Sequence, residues 1–148
     1  MLEQVGTKEA TGNNDGIQVE KYLKSVGLKK GNPYCNAGLY YCFNEVTPSP
    51  PMVKSGLAIS TYNKAKAIGN KTAFIPALHD LLVWNKAGTI FGHIERIVGV
   101  GQKGWVTTVG FNTSSTDPRN GNGVWQRKRC VFHFLGRMQV KGLVGWRQ

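Results

Sequence analysis

The chain has 148 residues, 41% of them hydrophobic, and carries 19 Lys and Arg against 8 Asp and Glu for a net charge of +11. That length and apolar content build one core without metals or disulfides, so a single domain over residues 1–148 is expected. The positive charge points to polyanionic partners such as nucleic acid, anionic lipid or anionic cell-wall polymers, which names a class of partner and not a reaction.

The stretch Met1–Gly16 holds no apolar run that could serve as a signal-peptide core, and no later stretch approaches a membrane span, so the chain reads as soluble. From Gly16 to Val26 the apolar residues Val19, Tyr22, Leu23 and Val26 follow a helical spacing, and Gly27 supplies a C-terminal stop. A second helix is signalled by Asn32 as N-cap and Pro33 at the first helical position, with Cys35, Leu39, Cys42, Phe43 and Val46 on one stripe. Thr47-Pro48-Ser49-Pro50-Pro51 ends it, and a third helix is expected from Ser55 to Lys66 with Leu57, Ala58, Tyr62 and Ala65 inward. From Asp80 onward β-branched and aromatic residues dominate. Strands are predicted at Leu81–Trp84, His93–Val100, Trp105–Asn112, Val124–Arg129 and Val131–Leu135. Helices followed by an antiparallel sheet make an α+β fold. The segments Thr113–Gly123 and Pro48–Lys54 are the candidate groove-lining loops.

The chain has three cysteines, an odd number. Cys35 and Cys42 sit two helical turns apart, roughly 10 Å between Cα atoms, which is beyond disulfide reach. There is no C-x-x-C, no H-x-x-x-H and no Cys/His cluster, so no metal site is expected. Cys35 falls in the first turn of the second helix, where unpaired backbone N–H groups and the macrodipole favour a thiolate; Cys42 and Cys130 do not. Position alone favours a small buried residue on the apolar stripe, and a base within reach reverses that preference.

His93 is the candidate base. Gly92–Val100 and Trp105–Asn112 read as a hairpin closed by Gly101-Gln102-Lys103-Gly104. Pairing Val100 with Trp105 puts His93 opposite Asn112 and Glu95 opposite Gly110. Directly opposed side chains have Cβ atoms roughly 4.5–5.5 Å apart, close enough for Asn112 to hold the imidazole. Nucleophilic catalysis needs that constellation of thiol, base and orienting group, although a single bulge would turn Asn112 to the other face. His79, before Asp80, and His133, between Phe132 and Phe134, are assigned to structure.

NDG-x-x-VEKYL, GNPYCNAGLYYCF, DLLVW, GHIERIVGV and GFNTS, in that order from about Gly12 to Gly123, resemble the CHAP-type papain-like peptidoglycan hydrolases. The most specific parts are Tyr34-Cys35 and Gly92-His93. The resemblance implies a papain-like core with N-terminal helices on the sheet, Cys35 attacking an amide carbonyl, His93 shuttling the proton and Asn112 orienting the imidazole, with no cofactor. It implies either an N-acetylmuramoyl-L-alanine amidase or an endopeptidase of stem peptides and cross-bridges. Many members carry an acid two residues before the orienting Asn, where this chain has Gly110. Glu95, opposite Gly110, is the candidate to fill that space; an ordinary strand glutamate pairing with a Lys or Arg would look the same.

The rival readings are a nucleic-acid-binding module, supported by the charge and by Arg127-Lys128-Arg129, and a catalytically inactive wall-binding domain. The basic residues are spread along the chain and no zinc-finger, RNA-recognition or helix-turn-helix pattern occurs, which counts against nucleic acid. Intact Cys35, His93 and Asn112 count against an inactive relic. Two settings suit a wall hydrolase acting in the periplasm or wall of a target cell. One is phage lysis; the other is antibacterial attack, with an immunity protein restraining the enzyme in its producer.

Overall fold

The computed structural model describes residues 1–68, 74–114, 116 and 121–145. After a short 3-10 turn at Leu2–Gln4 come three helices, α1 (Ile17–Ser25), α2 (Cys35–Asn44) and α3 (Ala58–Ala67). Five strands follow: β1 (Leu81–Asn85), β2 (Gly92–Val100), β3 (Trp105–Thr113), β4 (Gly123–Cys130) and β5 (Gln139–Val144). They form one antiparallel sheet in the order β4-β3-β2-β1-β5, so the fold is α+β with β2 in the middle. None of the described helices is long and apolar enough to cross a membrane.

The helices lie on one face of the sheet, α2 against β2 and β3, and α3 against β1, β2 and β5. Their contact is a continuous core in which Val19, Tyr22, Leu23, Leu39 and Phe43 meet Leu81, Val83, Ile94, Val109 and Phe111. Tyr22 organises the corner between α1, α2 and β3: its ring stacks on Tyr34 at 6.1 Å and meets Phe111 edge-on at 5.1 Å. The strand period of two sends the intervening residues to the opposite face. There Leu82, Trp84, Ile97, Val106, Val131 and Leu143 form a second, smaller cluster.

Two sequence expectations are corrected here. Val131–Leu135 is not a strand, although its residues have the higher β propensity; β5 lies further on, at Gln139–Val144. β4 ends where Cys130 pairs with Trp105, the first residue of β3, so the following residues have no strand left to pair with. The chain turns instead, with His133 N–H donating to the Cys130 carbonyl, Gly136 at φ +58° and Leu135 bridged to Met138. Phe132 and Phe134 stay 63% and 65% exposed. The strand that does form has Gly142 in its middle and a register shift on β1 between Val83 and Trp84, features that weaken its signature. The second correction is at α2. Tyr34 is its N-cap with no side-chain cap bond, while Asn32 donates to the Lys29 carbonyl; Val46 lies beyond the helix end and is 75% exposed.

Gly38 lets α2 approach β3. A Cβ there would run into the Phe111 ring. Alanine gains about 1 kcal/mol of helix propensity over glycine, but forcing a methyl into a packed core costs about 1–3 kcal/mol. Gly38→Ala is therefore expected to lower the urea unfolding free energy by about 1 kcal/mol or more. A variant of equal or greater stability would contradict this contact.

Candidate active site

Cys35 is the first residue of α2 and His93 the second of β2, and both are buried. Cys35 lies near enough to His93 to raise the imidazole pKa. The other end of the imidazole, Nε2, is 3.0 Å from Glu95 Oε1, so Nδ1 is the nitrogen left to face the sulfur. Strand alternation accounts for the second contact: residues 93 and 95 share a face of β2.

Glu95 is fully buried. Arg129, from β4, grips it with both prongs: Nε donates to Oε2 at 2.9 Å and Nη2 to Oε1 at 2.7 Å. The Thr108 hydroxyl, from β3, donates to Oε2 at 2.6 Å. Trp84 covers the group, its ring 5.8 Å from the His93 ring and 5.8 Å from the Arg129 guanidinium. Burial by itself would push the Glu95 carboxyl up, but the hydrogen bonds and charges of Arg129 and His93 hold it well below the usual carboxylate range. Burial would likewise push His93 down; its hydrogen bonds to Cys35 and Glu95, and their negative charges, push it up to about 9.

The β2–β3 register pairs Glu95 with Gly110, as the hairpin predicts, but through two offsets that cancel. Val100 pairs with Val106 instead of Trp105, and a bulge between Ile97 and Gly99 restores the frame. Paired positions end at Glu95–Gly110, so His93 does not sit across from Asn112. Asn112 adopts φ +52° beside an irregularity in the β3–β4 pairing, which turns it out of the ladder. No hydrogen bond joins Asn112 to His93 among the described residues, and the orienting contact belongs to Glu95. The lack of a side chain at Gly110 makes room for this: a Cβ there would lie 2.6 Å from Glu95 Oε1. The carboxylate thus fills the space that a side chain at position 110 would need.

A cleft of about 410 Å³ opens beside Cys35, between Ser55–Ala58 on one side and Ile90–Gly92 on the other. Its described lining is uncharged, in a chain of net charge +11. Asn36, next to Cys35 and fully buried, fixes the first wall. Its Nδ2 donates to the carbonyls of Val53 (3.1 Å) and Ser55 (2.6 Å), and its Oδ1 accepts from the Thr61 hydroxyl at 3.0 Å. Asn85 fixes the other, donating to the carbonyls of Thr89 and Phe91. Of the two loops expected to line a groove, Pro48–Lys54 stops just short of this cleft. In Thr113–Gly123, positions 115 and 117–120 lie outside the described residues. His79 Nδ1 is 2.9 Å from Arg96 Nη2, and the His133 ring packs edge-on against Trp105; neither enters the site.

Sequence reasoning missed Arg129, Thr108 and Asn36. Arg129 stood in plain view in a basic run, but strand alternation puts it on one face with Arg127 and does not single it out. Comparison with protein-family models and with curated proteins finds no match to the chain.

These shifts set the pH dependence of folding. The raised His93 value contributes stability that is fully present below the unfolded value of 6.5 and lost as pH rises through about 9. The lowered Glu95 value contributes stability present above its unfolded value of 4.5 and lost as pH falls toward the folded one. Between pH 6.5 and 9 the wild type is therefore expected to lose more unfolding free energy than His93→Gln does. Parallel curves from urea titrations at stepped pH would refute the assignment.

Proposed function

We propose that the chain is a cysteine hydrolase of the CHAP papain-like kind that cleaves amide bonds in bacterial peptidoglycan. The observation that carries this reading is the set Cys35, His93 and Glu95, in which Cys35 lines a cleft and the His93 imidazole is held 3.0 Å from a buried carboxylate. The residues are those the family resemblance assigns, except that Glu95 takes the orienting role the resemblance gave to Asn112.

In the reaction, His93 accepts the Cys35 proton and the thiolate attacks the carbonyl carbon, forming a C–S bond and an oxyanion. The start of α2 has no side-chain cap, so its backbone N–H groups are donors suited to that oxyanion. His93 then passes its proton to the departing amine nitrogen as the C–N bond breaks, leaving a thioester. Water, deprotonated by His93, attacks the thioester; the acid leaves and the thiol is restored. Glu95 stabilises the imidazolium at each stage and fixes the ring. A strongly cationic surface suits an anionic wall, and the amide cleaved is either the one joining sugar to stem peptide or one within the peptides. The nucleic-acid reading loses support, because Arg129 of its basic run is committed to Glu95.

Wild-type protein incubated with peptidoglycan sacculi is expected to release soluble fragments whose masses identify the bond. Cys35→Ala should lose at least about a thousandfold in rate. Iodoacetamide should modify Cys35 faster than Cys42, whose thiol burial pushes up, or Cys130. A folded, reduced wild type that releases nothing would end the cell-wall assignment.

A further inference from the structure

We propose that Arg129 is a positioning residue for catalysis, holding the Glu95 carboxylate ionised and correctly turned so that His93 can give up and regain its proton. The proposal rests on the Cys35–His93 reading above and extends it to a residue two strands away.

The geometry is that of a clamp. The guanidinium reaches across β3 from β4 to β2 and meets both carboxylate oxygens, while Nη2 also donates to the Thr113 hydroxyl at 3.2 Å. A planar fork matched to a carboxylate fixes its rotation as well as its position, which a lysine ammonium does not. Gly110 on the intervening strand leaves the space, and Thr108 closes the remaining side of Oε2.

The proton balance of the reaction explains why a permanent cation belongs here. His93 alternates between imidazolium and imidazole. With His93 as its only partner, a fully buried Glu95 would be left uncompensated each time the ring turned neutral, an arrangement costing several kcal/mol. The carboxyl would relieve it by taking a proton, and the ring would lose the anion that stabilises its charged form. A guanidinium is a permanent cation, so Arg129 balances Glu95 in both states of the ring. The groups facing Glu95 are then His93 on its own strand, Thr108 from β3 and Arg129 from β4; Trp84 from β1 is uncharged, and Cys35 from α2 acts on His93.

The test is the pH profile of Cys35 alkylation by iodoacetamide, followed by mass spectrometry, which needs no wall substrate. Removing the guanidinium leaves burial to push Glu95 up against weaker opposition, so the carboxyl protonates at higher pH and the thiolate–imidazolium pair forms later. In Arg129→Met the lower limb of the profile is expected to move upward, slowing alkylation near pH 6 by about tenfold or more. Arg129→Lys, which keeps the charge, should restore most of that rate. If Arg129→Met does not fold, Arg129→Gln carries the test, because it can donate a hydrogen bond but has no charge; the same upward shift is expected. A folded Arg129→Met or Arg129→Gln with the limb unmoved or moved downward overturns the proposal and makes Arg129 a purely structural residue. A wild type whose Cys35 reacts no faster than Cys42 overturns the ion pair itself. Failure on sacculi alone rejects the substrate and leaves the alkylation result standing.

Discussion

A carboxylate with no exposure to water sits in the middle of this protein's sheet, and much of the site's architecture can be understood as what that charge requires. An isolated buried ion costs several kcal/mol, and Glu95 avoids this by accepting from a guanidinium, an imidazole and a hydroxyl at once. Those donors come from the strands on one side of the sheet and from β2 itself. The middle strand is the suitable place for such a group, because β2 is paired along both edges and cannot shift without breaking two ladders. Gly110 supplies the volume, and the Trp84 ring lies beside both the His93 ring and the Arg129 guanidinium.

The thiol is positioned by a separate set of contacts. α2 is brought down onto β3 by the small residue at position 38 and by the aromatic corner around Tyr22, and this delivers Cys35 to the end of β2 where His93 waits. Asn36, one residue on, ties the chain before α3 to the same helix start, so the residue adjacent to Cys35 also builds a wall of the cleft. Charge is divided between two scales. The molecule as a whole is strongly cationic, but the described lining beside the sulfur is uncharged.

The helices and the first four strands were legible because their patterns are local: apolar spacing, glycine stops and β-branched runs each act over a few residues. Cys35 at a helix start and His93 at a strand start were legible for the same reason, each being a local signal. What failed depended on tertiary context. Asn112 left the expected register through a positive φ that no residue in GFNTS announces, since asparagine tolerates both conformations. β5 was hidden by its central glycine and by a more strand-like segment before it that runs past the end of β3. Arg129 was hidden by company: in Arg127-Lys128-Arg129 all three read as a surface charge run, and only the position of a carboxylate two strands away distinguishes the third.

The central claim is that His93 is held as an imidazolium between the Cys35 sulfur and the Glu95 carboxylate, and NMR titration of its imidazole ring tests this most directly. The chain has three histidines, so the His93 signals are assigned by their loss in His93→Gln. The ring is expected to stay protonated well past neutrality and to titrate at about 9. A His93 that titrates near the ordinary 6.5 would contradict the account.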